Sequence, residues 1–369
     1  MPPLTRDEIR EVFNSFPEAQ LPLINVAAWE GKPVPPRDWA VHNRIARRSV
    51  ALLSGEGGVG KSILILQLLA AHVLARDWFG VMPEPGPVIY LNAEDDAREL
   101  HFRLDAVRAH LGTTFAALKD LHMVPLAGED ALLGVPDRAG IIRATPLFDR
   151  LKQTAADMRP VLIALDTAAD MYGGNENDRS QVRQFIGLLR GLAITANAGV
   201  LLASHPSLSG ITTDSGLSGS TGWHNSVRSR LYFKAARAGD DDKANHDLRE
   251  LEVRKNNYGP SGEIIRMRWQ NGVFVQISAP SSMERAAAER AAEDLFLQLF
   301  DRTAAQGQTL NHHPTSPTYA PRRLAEHSQA NGTGTSAFTA AMQRLLDAGT
   351  IRVENYGRPS RPYSRLVRT

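Results

Sequence analysis

The stretch Val50-Ala51-Leu52-Leu53-Ser54-Gly55-Glu56-Gly57-Gly58-Val59-Gly60-Lys61-Ser62-Ile63 decides how the rest of the chain is read. It opens as an apolar run, passes through four glycines, and ends where a long helical pattern, Lys61 to Arg76, begins. Its centre fits G-x-x-x-x-G-K-[ST], and the strand before it and helix after it are the context that gives the pattern meaning. Glycines admit backbone dihedrals in which successive N–H groups turn inward around phosphate oxygens, and the helix N-terminus adds partial positive charge. Gly55, Glu56, Gly57, Gly58, Val59, Gly60, Lys61, Ser62 and Ile63 are therefore expected to cradle the phosphates of ATP. In that cradle Lys61 reaches the β- and γ-phosphates and Ser62 a magnesium ion, Mg2+.

Moving outward, Val50–Ser54, Val88–Asn92, Val161–Asp166 and Val200–Ser204 read as strands. They alternate with helical patterns over Lys61–Arg76, Ala97–Leu111, Arg143–Met158 and Arg179–Asn197. Strands apolar on both faces, each followed by a crossover helix, predict an α/β fold with a mainly parallel sheet covered on both sides. Two of these strands end in acids. Asp166 is expected to face the magnesium ion, and Glu94, just past Asn92, to orient the attacking water at the carboxyl ends of the strands. Asp95 and Asp96 read as caps of the helix that follows. Ser204-His205 ends a further strand, where His205 is the candidate sensor of the γ-phosphate.

Hydrophobic residues make up 43% and charged residues 22% of the 369, which excludes bulk disorder and coiled-coil readings. With 42 Lys+Arg against 40 Asp+Glu, global charge identifies no nucleic-acid or membrane partner. There is no cysteine, so disulfides, thiolate zinc sites and cysteine nucleophiles are out, and a cytoplasmic setting is compatible. No apolar run is long enough to cross a membrane, and the N-terminus does not read as a signal peptide. The eleven histidines show no metal spacing, His312-His313 included.

Three parts are expected: an arm over residues 1–36, a core over 37–279 and a C-terminal domain over 280–369. After Gly219 the pattern turns antiparallel, with Leu231–Ala236, Leu248–Arg254, Ile264–Trp269 and Val273–Ile277 extending the same sheet. The last part reads as a helix over 283–306, helices Arg322–Gln329 and Ser336–Ala348, strand Ile351–Glu354, a tip over Asn355–Pro362 and strand Tyr363–Val367, the order of a winged helix. Its final twenty residues carry five arginines against Glu354, a basic wing. Arg322 and Arg323 add charge, and Thr339, Gln343 and Arg344 are the side chains a recognition helix would present. The arm holds Trp29; Trp29 or Trp39 packs either on a neighbouring copy or on the chain's own core.

Taken together, the cradle, the Glu94 strand, the Asp166 strand, the Ser204-His205 end and a distal Arg/Lys pair resemble the RecA-type ATPases over roughly residues 37–277. The likeness is to the plasmid RepA-type hexameric replicative helicases and related prophage ATPases in particular. Its most specific segments are Gly219-Ser220-Thr221-Gly222-Trp223-His224-Asn225-Ser226-Val227-Arg228 and Arg254-Lys255-Asn256-Asn257-Tyr258-Gly259-Pro260. The resemblance implies a RecA-like core forming a homo-oligomeric ring, a hexamer, in which Arg228 reaches the neighbour's ATP and Lys255 assists, with Arg230 as the alternative finger. It also implies that loops Tyr172–Gln181 and Pro206–Gly219 line a channel holding single-stranded DNA. The first carries Arg179 against Glu176 and Asp178, and the second Asp214 and no basic residue, a departure from a phosphate-gripping surface. The C-terminal domain resembles the winged-helix tails of prophage relatives, leaving double-stranded DNA or a replication protein as its partner. The expectation is a DNA helicase of a mobile element that couples ATP hydrolysis to movement on DNA; a helicase loader and a DNA-binding switch are the alternatives.

Overall fold

The computed structural model describes residues 23–205, 221–236, 247–277, 282–358 and 361–369. By its internal contacts the chain divides into two compact units, residues 1–37 and 38–369. In the first, a 3₁₀ turn over Val26–Trp29 is capped by the Asn25 side chain, and none of the turn's residues is buried. Residues 1–22 of the expected arm lie outside the described residues.

The second unit begins with a small ribbon, β1 (Trp39–Val41) and β2 (Ile45–Ala46), followed by β3 (Ser49–Gly55) and α1 (Lys61–Leu74). Next come β4 (Val88–Asn92), α2 (Ala97–His110), β5 (Leu121–Pro125), a ribbon of β6 (Gly134–Pro136) and β7 (Ile142–Ala144), and α3 (Pro146–Met158). Then follow β8 (Leu162–Asp166), α4 (Arg179–Ala196), β9 (Gly199–Ser204), and, after the short helix Thr221–Ser226, β10 (Ser229–Ala235). β11 (Leu248–Asn256), β12 (Ile264–Gln270) and β13 (Val273–Gln276) complete a nine-stranded sheet. Its order is β13-β12-β11-β10-β3-β9-β8-β4-β5. The six strands from β10 to β5 are mutually parallel, and β11 to β13 are antiparallel additions at one edge.

The alternation along the parallel strands explains the apolar runs. Ala51, Leu53, Val88, Tyr90, Leu162, Ala164, Leu201 and Ala203 enter one core with residues of α1 and α2. Val50, Leu52, Ile89, Leu91, Ile163, Leu165, Val200 and Leu202 enter the other with residues of α3 and α4. Each strand is thus buried on both sides, the mainly parallel, helix-covered sheet that the pattern predicts.

Several expectations are corrected. β10 pairs parallel to β3 and only then antiparallel to β11, so the change of direction falls one strand later than the pattern implies. α3 starts at Pro146, not Arg143, because the Thr145 hydroxyl caps it and proline is favoured in the first turn. The ribbons β1–β2 and β6–β7 are too short to show a period, and β5 is a half-exposed edge strand.

Towards the C-terminus, α5 (Ser282–Ala305), α6 (Ala320–Ala325), α7 (Thr335–Asp347) and the hairpin β14 (Ile351–Arg358) with β15 (Arg361–Arg368) enclose a core of their own. It includes Phe296, Leu310, Phe338, Leu345, Ile351 and Leu366. α6 begins earlier and ends earlier than Arg322–Gln329, since Pro321 sets its first turn. The hairpin strands run closer to the tip than expected, to Arg358 and from Arg361. Residues 278–281, where the core was expected to end, lie outside the described residues.

One side chain ties the phosphate-loop helix to the far edge of the sheet. Gln67 on α1 donates to the Phe274 carbonyl at 2.8 Å and accepts from the Phe274 N–H at 2.9 Å. Gln67→Leu should cost about 1–3 kcal/mol, because both main-chain groups of Phe274 lose their buried partner. A denaturant melt checks this; an unchanged midpoint would remove the latch.

Candidate nucleotide-binding site

The loop between β3 and α1 is shaped by what stands behind it. A Cβ at Gly55 would lie 2.5 Å from the Phe233 carbonyl oxygen of β10. At Gly60 it would lie 2.6 Å from the Phe274 ring of β13, and Gly60 has φ +102°, so both space and backbone demand glycine there. Gly57 and Gly58 form the exposed rim, with Val59 turned into the core. Arg249, at the start of β11, donates from Nε to the Val59 carbonyl at 3.1 Å. Sequence reasoning missed Arg249, because only the antiparallel course of β11 brings its first residues level with this loop.

Lys61 is 6% exposed. Its Nζ donates to the Gly55 and Glu56 carbonyls at 2.8 and 3.1 Å and lies 3.3 Å from His205 Nδ1. An ammonium can only donate, so Nδ1 accepts and the ring proton is assigned to Nε2, which stands 3.5 Å from Glu94 Oε1. Lysine, histidine and glutamate thus form one chain of contacts across the mouth of the site. Burial pulls the Lys61 pKa down, against the pull of Asp166 and Glu94. The hydrogen bond from His205 is the largest influence holding the Glu94 carboxyl below its ordinary range.

Asp166 ends β8 and is fully buried. It shares a register position with Asn92 of β4 on the face that carries α1. Its Oδ2 accepts from the Tyr90 hydroxyl at 2.7 Å and from Asn92 Nδ2 at 3.3 Å, and Asn92 also donates to Tyr90 at 2.8 Å. Its Oδ1 is buried with no partner at hydrogen-bonding geometry, while the Ser62 hydroxyl interacts with the carboxylate. Burial raises the pKa of Asp166 and drives that of Tyr90 well up. Asn92 Oδ1 also accepts from the Glu94 and Asp95 N–H groups, the turn that aims Glu94 at the cleft. Tyr90 and Asn92 were not singled out from the sequence; the available signal was a hydroxyl and an amide inside a buried apolar strand.

Asp95 corrects an expectation. It caps nothing, but is buried, 2.9 Å from Arg103 and 3.4 Å from Asn92. Asp96 alone caps α2, accepting from the Glu99 N–H.

The donor set fits a magnesium ion. A buried carboxylate oxygen without a well-placed donor belongs to a carboxylate that the Ser62 hydroxyl approaches, and among the described residues no group of three acids or histidines could hold the ion alone. The ion would complete its shell with water and nucleotide phosphate oxygens, as Mg2+ usually does. From the cradle a cleft of about 460 Å³ continues to Phe102 and Ala106 on α2 and to Trp269 and Gly272 on the β12–β13 hairpin. Phe102 and Trp269, 61% and 37% exposed, offer apolar walls to a nucleoside. Trp269 packs on Phe274, the ring that backs Gly60, so the wall and the cradle share one support.

Arg228 and Lys255 are not brought to this cleft. The Arg228 N–H donates to the Val50 carbonyl at the opposite end of β3. At about 3.3 Å per residue, roughly 16 Å of strand separate it from Gly55. Arg228 is exposed, whereas Arg230 is 3% exposed, 3.2 Å from His224 Nδ1, with its pKa pushed down to about 10 chiefly by burial. Burial thus removes Arg230 as an alternative finger. Lys255 Nζ donates to the His224 carbonyl at 2.8 Å. In the loop Tyr172–Gln181, Tyr172 packs on Phe185 and Trp223, and Asp178 caps α4. Residues 206–220, with the second loop and the start of the finger segment, lie outside the described residues.

Two outcomes are expected. Tyr90→Phe should leave nucleotide binding without metal unchanged but weaken magnesium dependence roughly 10- to 100-fold, since Asn92 alone would orient Asp166; magnesium titrations with a fluorescent ATP analogue measure it. Asp166 has a folded pKa above its ordinary 3.8, so the folded state holds its proton more tightly and stability falls as pH rises through that window. Asp166→Asn should therefore raise the thermal midpoint at neutral pH, with the gap closing near pH 4; a lowered midpoint contradicts this.

A family model described as an AAA domain matches residues 16–210, just over half of the chain. The DNA repair protein RadA of Streptococcus pneumoniae is 24% identical over 235 residues, 64% of this chain and 46% of that protein. RadA of Listeria monocytogenes is 20% identical over 284 residues, 74% of this chain and 52% of that protein. The chain thus spans about half the length of these relatives. A crystal structure of the RadB recombinase aligns with a TM-score of 0.43 at 13% identity, over 63% of this chain and 93% of that one. The matched residues carry the cradle, Glu94, Asp166 and His205, and the chain belongs to the AAA domain family.

Proposed function

We propose that the protein is a RecA-type ATPase that acts on DNA, with each active site shared between two copies in a ring. One observation carries the reading. Lys61, Ser62, Glu94 and His205 line one cleft with Asp166 buried beside them, while exposed Arg228 stands at the far end of the same strands, too far to reach its own chain's nucleotide. The RadA relatives, by name DNA repair proteins, support DNA as the polymer.

In the reaction the Lys61 ammonium exchanges the Gly55 and Glu56 carbonyls for the β- and γ-phosphate oxygens. Glu94, kept ionised by His205, accepts a hydrogen bond from water and takes its proton as the water oxygen bonds to the γ-phosphorus and the bond to ADP breaks. Asp166 and Ser62 would hold the magnesium ion, which would offset negative charge on the phosphates. Loss of the γ-phosphate is felt by His205, which touches both Lys61 and Glu94.

The finer reading is a RepA-type replicative helicase, a hexamer with single-stranded DNA in its channel and a C-terminal winged helix. A loader or switch that hydrolyses ATP without translocating is favoured by one feature: the loop Tyr172–Gln181 has Arg179 against two acids.

Mixing tests the shared site. Neither Arg228→Ala nor Glu94→Gln should hydrolyse ATP alone, and mixtures should regain part of the rate, greatest at intermediate ratios. No recovery at any ratio, with rings intact, contradicts a finger in trans.

A further inference from the structure

The C-terminal helix expected to read bases is not equipped to do so. On α7, Thr339 donates to the Thr335 carbonyl and meets the Tyr319 hydroxyl at 3.0 Å, Gln343 donates to Asp347, and Arg344 is bound to Glu293 on α5 at 2.5 Å. Arg344 is the one cation on this helix. The exposed residues of α7 are Ser336, Ala340, Gln343 and Asp347, with no positive charge to meet a phosphate.

The hairpin β14–β15 differs. Opposite residues of an antiparallel pair share a face, and Ile351 and Leu366 turn one face into the domain core. The other face carries the register pairs Arg352 with Val367, Glu354 with Arg365, and Tyr356 with Tyr363. The tyrosines are 41% and 49% exposed, with ring centroids 5.9 Å apart and planes tilted by 32°. Arg365 lies over the Tyr356 ring at 5.1 Å, and both Arg352 and Arg365 approach the same Glu354, so one carboxylate answers two cations. Arg358 and Arg361 form the last register pair. Residues 350–369 hold five arginines and one acid.

We propose that this outer face of the hairpin binds single-stranded DNA, with bases stacked on Tyr356 and Tyr363 and phosphates met by Arg352 and Arg365. Paired aromatics among cations give a sequence-tolerant platform for unpaired bases, whose rings a duplex keeps stacked inside. The outer side of α7, with Asp347 exposed and no positive charge among its exposed residues, argues against a duplex seated in the usual helix-led way. The choice of DNA rests on the DNA-directed reading above; the surface shares no residue with the nucleotide cleft and is tested without nucleotide.

The test is fluorescence anisotropy of a short labelled oligothymidylate with the full chain over a range of salt. Tyr356→Ala/Tyr363→Ala should weaken binding roughly 10-fold or more with the salt slope unchanged, and Tyr356→Phe/Tyr363→Phe should bind as wild type. Arg352→Gln should lower the slope by about 0.7, the loss of one single-strand phosphate contact. All should hydrolyse ATP at the wild-type rate without DNA. Where the alanine pair fails to fold, Arg352→Gln decides. Equal affinity and slope across the folded variants overturns this surface and leaves the ATPase reading standing. A duplex of equal length binding more tightly than the oligothymidylate overturns the single-strand assignment, and no binding by wild type removes DNA itself.

Discussion

A carboxylate and an ammonium are held out of water together at the carboxyl end of the sheet. Asp166 and Lys61 are both buried, each would be costly to bury alone, and the neighbourhood is arranged around them. Two backbone carbonyls take the lysine, and Tyr90 and Asn92 take one oxygen of the aspartate. The compensation is incomplete at Asp166 Oδ1, and that gap is where the chemistry fits. A site satisfied in every direction would leave a metal nothing to bind.

The sheet gathers the groups of the cleft at one of its two ends. Parallel strands place every carboxyl end on the same side, so Gly55, Asn92, Asp166 and Ser204 come level, and the groups that follow them face one cleft. The residues before β10 are on the other side. Strands β11 and β13 run in the opposite sense, returning Arg249 and Phe274 to buttress the phosphate loop. An edge that looks like an elaboration of the sheet is what leaves no room for a side chain at Gly60.

Much of this was legible in the sequence because parallel strands buried on both faces leave unmistakable runs. Val88–Asn92 and the carboxyl ends at Asp166 and Ser204 fell where the pattern put them, and the structure brings Lys61, Ser62, Glu94 and His205 to one cleft with Asp166 buried beside it. The unread parts depend on tertiary neighbours. Asp95 looked like a cap because it precedes a helix; burial and Arg103 gave it other work. Nothing local in Arg249 or Trp269 marks them as facing a loop some two hundred residues earlier. Arg344 looked available on a helix until Glu293 of another helix claimed it.

The most direct measurement is steady-state ATP hydrolysis with and without single-stranded DNA at two salt concentrations. The account predicts a rate that rises several-fold with DNA and loses that rise as salt increases, because the coupling runs through phosphate contacts. A rate that DNA leaves flat at both salts would contradict a motor engaged with DNA.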